Sequence, residues 1–186
     1  MIVAAMPSPI GHTLAGLTVG WLAEVERSGQ RGGLRDALSP FVLWCALFAV
    51  LPDADLLIPH LHRMATHSVT ASVLILIIAA GVTGKVTGNP AWRFVLALVA
   101  AQGTHLLLDW LGFDRNPPPG IQLLWPFSHR YFNSGWDLFP ATARDTLSMR
   151  MIATNARAAV WETVLLAPVA AAAWALRERL RRQAYT

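Results

Sequence analysis

Four apolar runs, at about 41–58, 69–84, 92–111 and 158–176, decide what this chain can become. Each approaches the ~20 residues that a helix needs to cross a bilayer. A fifth and weaker run covers about 10–25. The runs are short for full spans, and they fit if the polar residues at their ends face a water-accessible pocket. Composition supports the same class. Only 14% of the residues are charged and the mean hydropathy is +0.43, where an ordinary soluble domain carries about 25% charged residues. Strand patterns are weak throughout. The expectation is an all-α, integral membrane bundle of about four to five helices, forming a single domain over 1–186.

Local signals place the helix ends. Pro9 and Gly11 lead into His12, where a helix starts and runs to about Glu24. Residues 26–37 are polar and glycine-rich, hence a loop. Ser39 is a good N-cap with Pro40 in the first turn, and that helix ends near Pro52. Thr66 or Ser68 caps the next helix, Val69 to Ala80, and 81–90 reads as a loop. Ala91 to Leu111 follows. A long extramembrane segment over 113–155, containing Pro117-Pro118-Pro119-Gly120, precedes a last helix at Ala156–Leu176. Residues 177–186 form a basic tail. The loops at 26–37 and 84–92 and the C-terminus hold most of the basic residues, so the positive-inside rule puts the C-terminus in the cytoplasm of an inner-membrane protein.

The net charge of +4 and pI near 10.2 follow from those arginine-rich ends. No long basic block suggests nucleic acid as a partner. The lone cysteine, Cys45, rules out an internal disulfide and a thiolate metal cage. Met1–Met6 lacks the positive start of a signal peptide, so no cleavage is expected.

Against this apolar background stands the stretch from Leu51 to Ser68. Asp53 and Asp55 are followed by His60, His62 and His67, three of the chain's six histidines. Carboxylate and imidazole are the ligands of zinc, manganese and non-haem iron. Burying such a cluster is costly unless something compensates it, and a cation would. On the five-span topology His12 begins the first helix, Asp53 and Asp55 end the second, and His62 and His67 precede the third. His105 and Asp109, spaced i, i+4, end the fourth, and Glu162 lies near the start of the last. All of these fall at one end of the bundle. Trp110, Trp125 and Trp136 flank that end as interfacial aromatics.

The run Pro52-Asp53-Ala54-Asp55, then His62-Arg63-Met64-Ala65-Thr66-His67-Ser68, then Gly103-Thr104-His105-Leu106-Leu107-Leu108-Asp109, then Leu124-Trp125-Pro126-Phe127-Ser128 resembles the YdjM-like family of membrane-bound metal-dependent hydrolases. The resemblance covers roughly His12 to Glu162. That family is thought to be a distant relative of the zinc-dependent phospholipase C and single-strand nuclease superfamily, an all-helical group with His, Asp and Glu ligands for up to three zinc ions. The order His12, Asp55, His67, His105, Asp109 is similar to part of that ligand set. The superfamily continues with two further histidines and a glutamate. Here only His129 and Glu162 remain, which implies one or two metals rather than three.

The expected metal ligands are therefore His12, Asp53, Asp55, His62, His67, His105 and Asp109, with zinc as the first choice and manganese as the alternative. Asp55 or Glu162 would serve as general base, and Arg63 would hold a phosphate by a bidentate contact. His62 is a ligand or orients one, and His60 is solvated. Thr66 and Ser68 are helix caps rather than nucleophiles. The resemblance implies a membrane-bound hydrolase of a phosphoester, with a lipid headgroup as the natural substrate at this depth. Two alternatives stand beside it: a non-catalytic membrane protein that binds metal or assists assembly, and a soluble or peripheral helical enzyme. A hydrogen-bonded polar network pinning the helix ends is the purely structural explanation of the same residues.

Overall fold

A computed structural model describes residues 3–4, 7–24, 37–58, 62–114, 116–143 and 147–183. Among the described residues the chain is helical, as expected. In order come α1 (Pro9–Ala23), α2 (Pro40–Val50), a 3-10 helix (Leu51–Leu57), α3 (Val69–Thr87), α4 (Trp92–Leu111) and α5 (Met149–Gln183). Two residues of β1 (Val3–Ala4) pair antiparallel with two of β2 (Thr142–Ala143). Four helical segments are long and apolar enough to cross a membrane: Pro40–Leu57, Val69–Thr87, Trp92–Leu111 and Met149–Gln183. α1, with 15 residues, is the shorter fifth member.

The caps fall where the sequence puts them. Ser39 Oγ accepts from Val42 N at 3.3 Å, and Ser68 Oγ accepts from Ala71 N at 3.2 Å. Pro52 brings no N–H to the helical ladder, and from Leu51 the chain tightens into the 3-10 turns that carry Asp53 and Asp55.

Two boundaries differ from expectation. α3 continues through Gly81 and Gly84 to Thr87 and ends on Gly88 in the left-handed region, φ 83°. Each glycine costs about 1 kcal/mol in helix propensity, but an early exit would strand backbone groups in hydrocarbon at a higher cost. α5 starts at Met149 rather than Ala156, so the irregular segment closes before residue 155. It runs to Gln183 with Pro168 inside it. Thirty-five residues span about 52 Å, well over a core of about 30 Å. The apolar stretch around 158–176 crosses, and polar turns extend beyond it.

α1 packs on α2 through a pair of small residues. A Cβ on Gly16 would come within 2.7 Å of Ala46 Cα and of Cys45 O, and one on Gly20 within 2.9 Å of Val42 Cα. This is the close backbone approach by which helices associate in lipid. Phe41, Cys45 and Ala49 of α2 meet Ala97, Leu98 and Ala101 of α4 in the main core. Cys45 is fully buried and free there. α5 lies alongside α1 in the same direction. Glu162 sits at the start of α1, against Ser8 and Gly11, and Arg177 meets Glu24 at its end at 2.9 Å. No residue of α3 is buried, and Ile77, Ile78, Val82 and Val86 are exposed. A water-facing helix would not be apolar on every side.

One end of the bundle gathers the start of α1, the 3-10 helix, the turn before α3, the end of α4 and the described part of the irregular segment between α4 and α5. That segment is stitched down by Val69 N donating to Leu123 O (2.9 Å), Gln122 N to Arg63 O (2.8 Å) and Leu138 N to Leu111 O (2.9 Å).

Candidate metal centre

His105 is placed in the last two turns of α4. Its Nδ1–H donates to the Ala49 carbonyl at 2.7 Å, since a carbonyl can only accept. That bond fixes the tautomer and leaves the Nε2 lone pair pointing inward. His67 is held from the other side. Its Nδ1 lies 3.2 Å from Asp55 Oδ2 and 3.0 Å from Thr66 Oγ1, so its Nε2 also points inward. The two Nε2 atoms face each other at 3.0 Å. Two lone pairs at that distance repel unless a cation or a proton lies between them.

Carboxylates complete the ring. Asp109 Oδ2 lies 3.1 Å from His105 Nε2 and 3.3 Å from His67 Nε2. Asp53 Oδ1 lies 3.9 and 3.8 Å from the same two nitrogens. Ligand atoms at 2.0–2.1 Å from a tetrahedral zinc stand about 3.3 Å apart, so His67, His105 and Asp109 stand near the separations an ion would impose, with Asp53 Oδ1 farther out. Asp109 turns its other oxygen, Oδ1, to His12 Nε2 at 3.4 Å. The His12 ring stacks on His105 with centroids 3.9 Å apart.

Hydrogen bonding does not account for this arrangement. His12, His67 and His105 are fully buried and Asp109 is almost so. Yet, among the described residues, both ring nitrogens of His12, both oxygens of Asp53 and both oxygens of Asp109 are buried without a hydrogen-bond partner. A polar network that merely pinned helix ends would satisfy such groups. A cation would compensate the carboxylates and the inward-facing ring nitrogens, and the residues fit one. Three groups of side chains converge closely enough to hold an ion: His12–His105–Asp109, Asp53–His67–His105 and Asp55–His62–His67.

Electrostatics agree at His67, which lies in the turn outside the spanning helices. Burial disfavours its charged form, but the neighbouring carboxylates of Asp53, Asp55 and Asp109 outweigh this and push the imidazolium pKa up to about 9. In the absence of a metal, a proton on His67 supplies positive charge to the carboxylates.

The other expected site residues fall around this centre. Asp55 accepts from His62 Nδ1 at 2.8 Å and from the Thr66 hydroxyl, so it orients His67 as well as belonging to the third group. His62 is half-buried, at the rim. Glu162 lies outside the three groups. Its carboxylate accepts from Ser8 N at 2.7 Å, Gly11 N at 3.1 Å and the Ser8 hydroxyl. It caps the N-terminus of α1, where a carboxylate is favoured, one residue before His12. Arg63 is also outside the groups. It adopts φ 69°, donates to Asp114 Oδ2 at 2.6 Å and to Pro118 O at 3.1 Å, and lies over the Tyr131 ring. It ties the histidine turn to the irregular segment. His129 is exposed in that segment, and His60 lies outside the described residues.

Three contributors escaped the sequence reading. Thr66 was assigned to capping, and its hydroxyl orients Asp55 and His67. Ala49 contributes only a carbonyl, for which a sequence carries no signal. Gln102, buried in α4, donates to Thr66 O at 3.3 Å and accepts from Ser72 Oγ. Its polar side chain within an apolar run was the available clue.

Comparison with known proteins fixes the affiliation. The model of the family described as YdjM inner membrane protein matches residues 6–180. The chain belongs to that family. The match takes in α1 to most of α5, so all the converging side chains are part of the YdjM domain. No curated protein and no solved structure matches the chain.

Proposed function

We infer that this YdjM-family chain is an integral membrane, metal-dependent hydrolase acting on a phosphoester. The observation that carries the reading is the pair of buried Nε2 atoms, His67 and His105, 3.0 Å apart beside the unpartnered carboxylates of Asp53 and Asp109. Asp53, His67, His105 and Asp109 would hold a first divalent ion, with zinc favoured by the nitrogen–oxygen ligand set. His12 and the outer oxygen of Asp109 would contribute to a second. Such an ion supplies Lewis acidity and lowers the pKa of a coordinated water.

The chain's own residues do the rest. Ala49 O and Asp55 fix the two imidazoles in the tautomers that ligation requires. Asp55 also bonds His62, the partly exposed member of the cluster, and so offers a path for a proton from the buried centre to the rim. It is better placed for general-base work than Glu162, which is engaged at the start of α1. The irregular segment over this end limits bulk water.

A closed, non-catalytic metal site is the second reading, favoured by the complete burial of His12, His67 and His105. Metal-loaded protein in nanodiscs, assayed for phosphate release from a panel of phosphoesters beside Asp55→Asn, separates the two. The hydrolase reading predicts that turnover per bound metal falls at least ~100-fold in Asp55→Asn. Stoichiometric metal with no release from any substrate would favour the closed site.

A further inference from the structure

α3 leans on α4 and makes no comparable contact with α2. A cleft is left between α2 and α3, made of two adjoining cavities of about 490 and 220 Å³ that share Phe48, Leu51, Ile75 and Ile78. The larger runs away from the metal centre, past Val82 and Phe94. The smaller ends at Pro52, Thr66 and Gln102.

This second end backs onto the candidate ligands. Pro52 precedes Asp53. The Thr66 hydroxyl bonds Asp55 and lies 3.0 Å from His67 Nδ1. Gln102 is one turn before His105 on α4. The cleft wall is therefore apolar along its length, with the side chains of Thr66 and Gln102 set into it at the metal end.

We propose that this cleft is the acyl-chain subsite of the metal centre, and that the substrate is a membrane lipid entering sideways between α2 and α3 with its polar end toward Thr66 and Gln102. This rests on the hydrolase reading above. Both flanking helices belong to segments that cross the membrane by length and composition, so the medium at the cleft mouth is hydrocarbon rather than water. Its length fits one chain. Ala71 and Thr83 mark its two ends on α3, and twelve helical steps measure about 18 Å. One leaflet of the hydrocarbon core is about 15 Å deep. Its volume falls in the range of ligand sites.

The test uses the full chain in dioleoylphosphatidylcholine nanodiscs containing a tracer of phosphatidic acid with a diazirine in its acyl chain. After illumination, adducts are mapped by mass spectrometry, and zinc is measured on the same samples. Expected is labelling of Phe48, Leu51, Ile75 and Ile78 several-fold above that of Val160 and Val164, which are exposed on α5. That excess disappears in Ile75→Trp and in Ile78→Trp, which fill the cleft from two positions, while zinc is retained. Labelling of the cleft no stronger than that of α5, or unchanged in both variants, overturns the proposal. Zinc bound with uniform labelling overturns the cleft alone. Selective labelling in a protein that binds no zinc upholds the cleft as a lipid site and overturns the hydrolase reading.

Discussion

At the scale of single residues, the centre depends on which nitrogen or oxygen each side chain presents. Asp109 faces His67 and His105 with one oxygen and His12 with the other. Asp109→Ala therefore removes a ligand from both candidate positions, and metal content measured on purified protein should fall to background. Retention of full occupancy would contradict the assignment. Binding must also displace the proton that His67 carries below a pKa of about 9. Metal affinity should rise with pH through the neutral range by about tenfold per unit for that one proton, and a competition titration with a chromophoric chelator reads it. A pH-independent affinity would show that His67 is not a ligand. Most of these side chains were legible beforehand, because polar residues in an apolar chain are conspicuous. Their division of labour was not. Asp53 and Asp55 look alike in sequence, and only the positions of His62, Thr66 and Ala49 O separate a carboxylate without partners from one that orients a histidine.

At the scale of elements, α1 delivers His12 and is held at three places: Glu162 at its start, Gly16 and Gly20 along α2, and Arg177 at its end. Glu162→Ala leaves Ser8 N and Gly11 N buried without an acceptor. It should destabilise the protein by about 1–3 kcal/mol and weaken metal binding while His67 and His105 stay in place. Thermal unfolding in detergent and a metal titration check the two effects. Gly16→Val should cost about 1–3 kcal/mol by overpacking, because its Cβ would meet Ala46 and the Cys45 carbonyl at 2.7 Å. Gly103→Ala, where a Cβ meets nothing within 4 Å, should be tolerated in the same assay. Equal effects of the two would contradict the close α1–α2 contact. This contact is absent from the sequence reading: glycine at Gly16 and Gly20 is indistinguishable from a flexible residue until its neighbour on α2 is known. The ends of α3 and α5 were misjudged for a related reason. Glycine and proline break helices in water, and hydrocarbon holds the helix together past them.

At the scale of the whole molecule, the described residues form five α-helices that bring candidate ligands from four places in the chain to one end, with the described part of the irregular segment between α4 and α5 over them. The gathering of histidines and aspartates at one end was visible once the spans were laid out alternately. The cleft between α2 and α3 was not, because it is a property of how two apolar helices fail to touch. By the positive-inside rule we expect the end that gathers the histidines outside and the C-terminus in the cytoplasm. In a Cys45→Ala background, Ser134→Cys should react with an impermeant thiol reagent in intact spheroplasts, and Gln183→Cys only after permeabilisation. The reverse pattern would invert the orientation. The central claim is that the converging side chains hold a metal. Elemental analysis of detergent-purified protein, prepared without chelators and with metal supplied, tests it beside the double variant His67→Ala, His105→Ala. The account predicts near-stoichiometric zinc or manganese in the parent protein and none in the variant. No metal in either would contradict it, and would leave the cluster as a structural polar network.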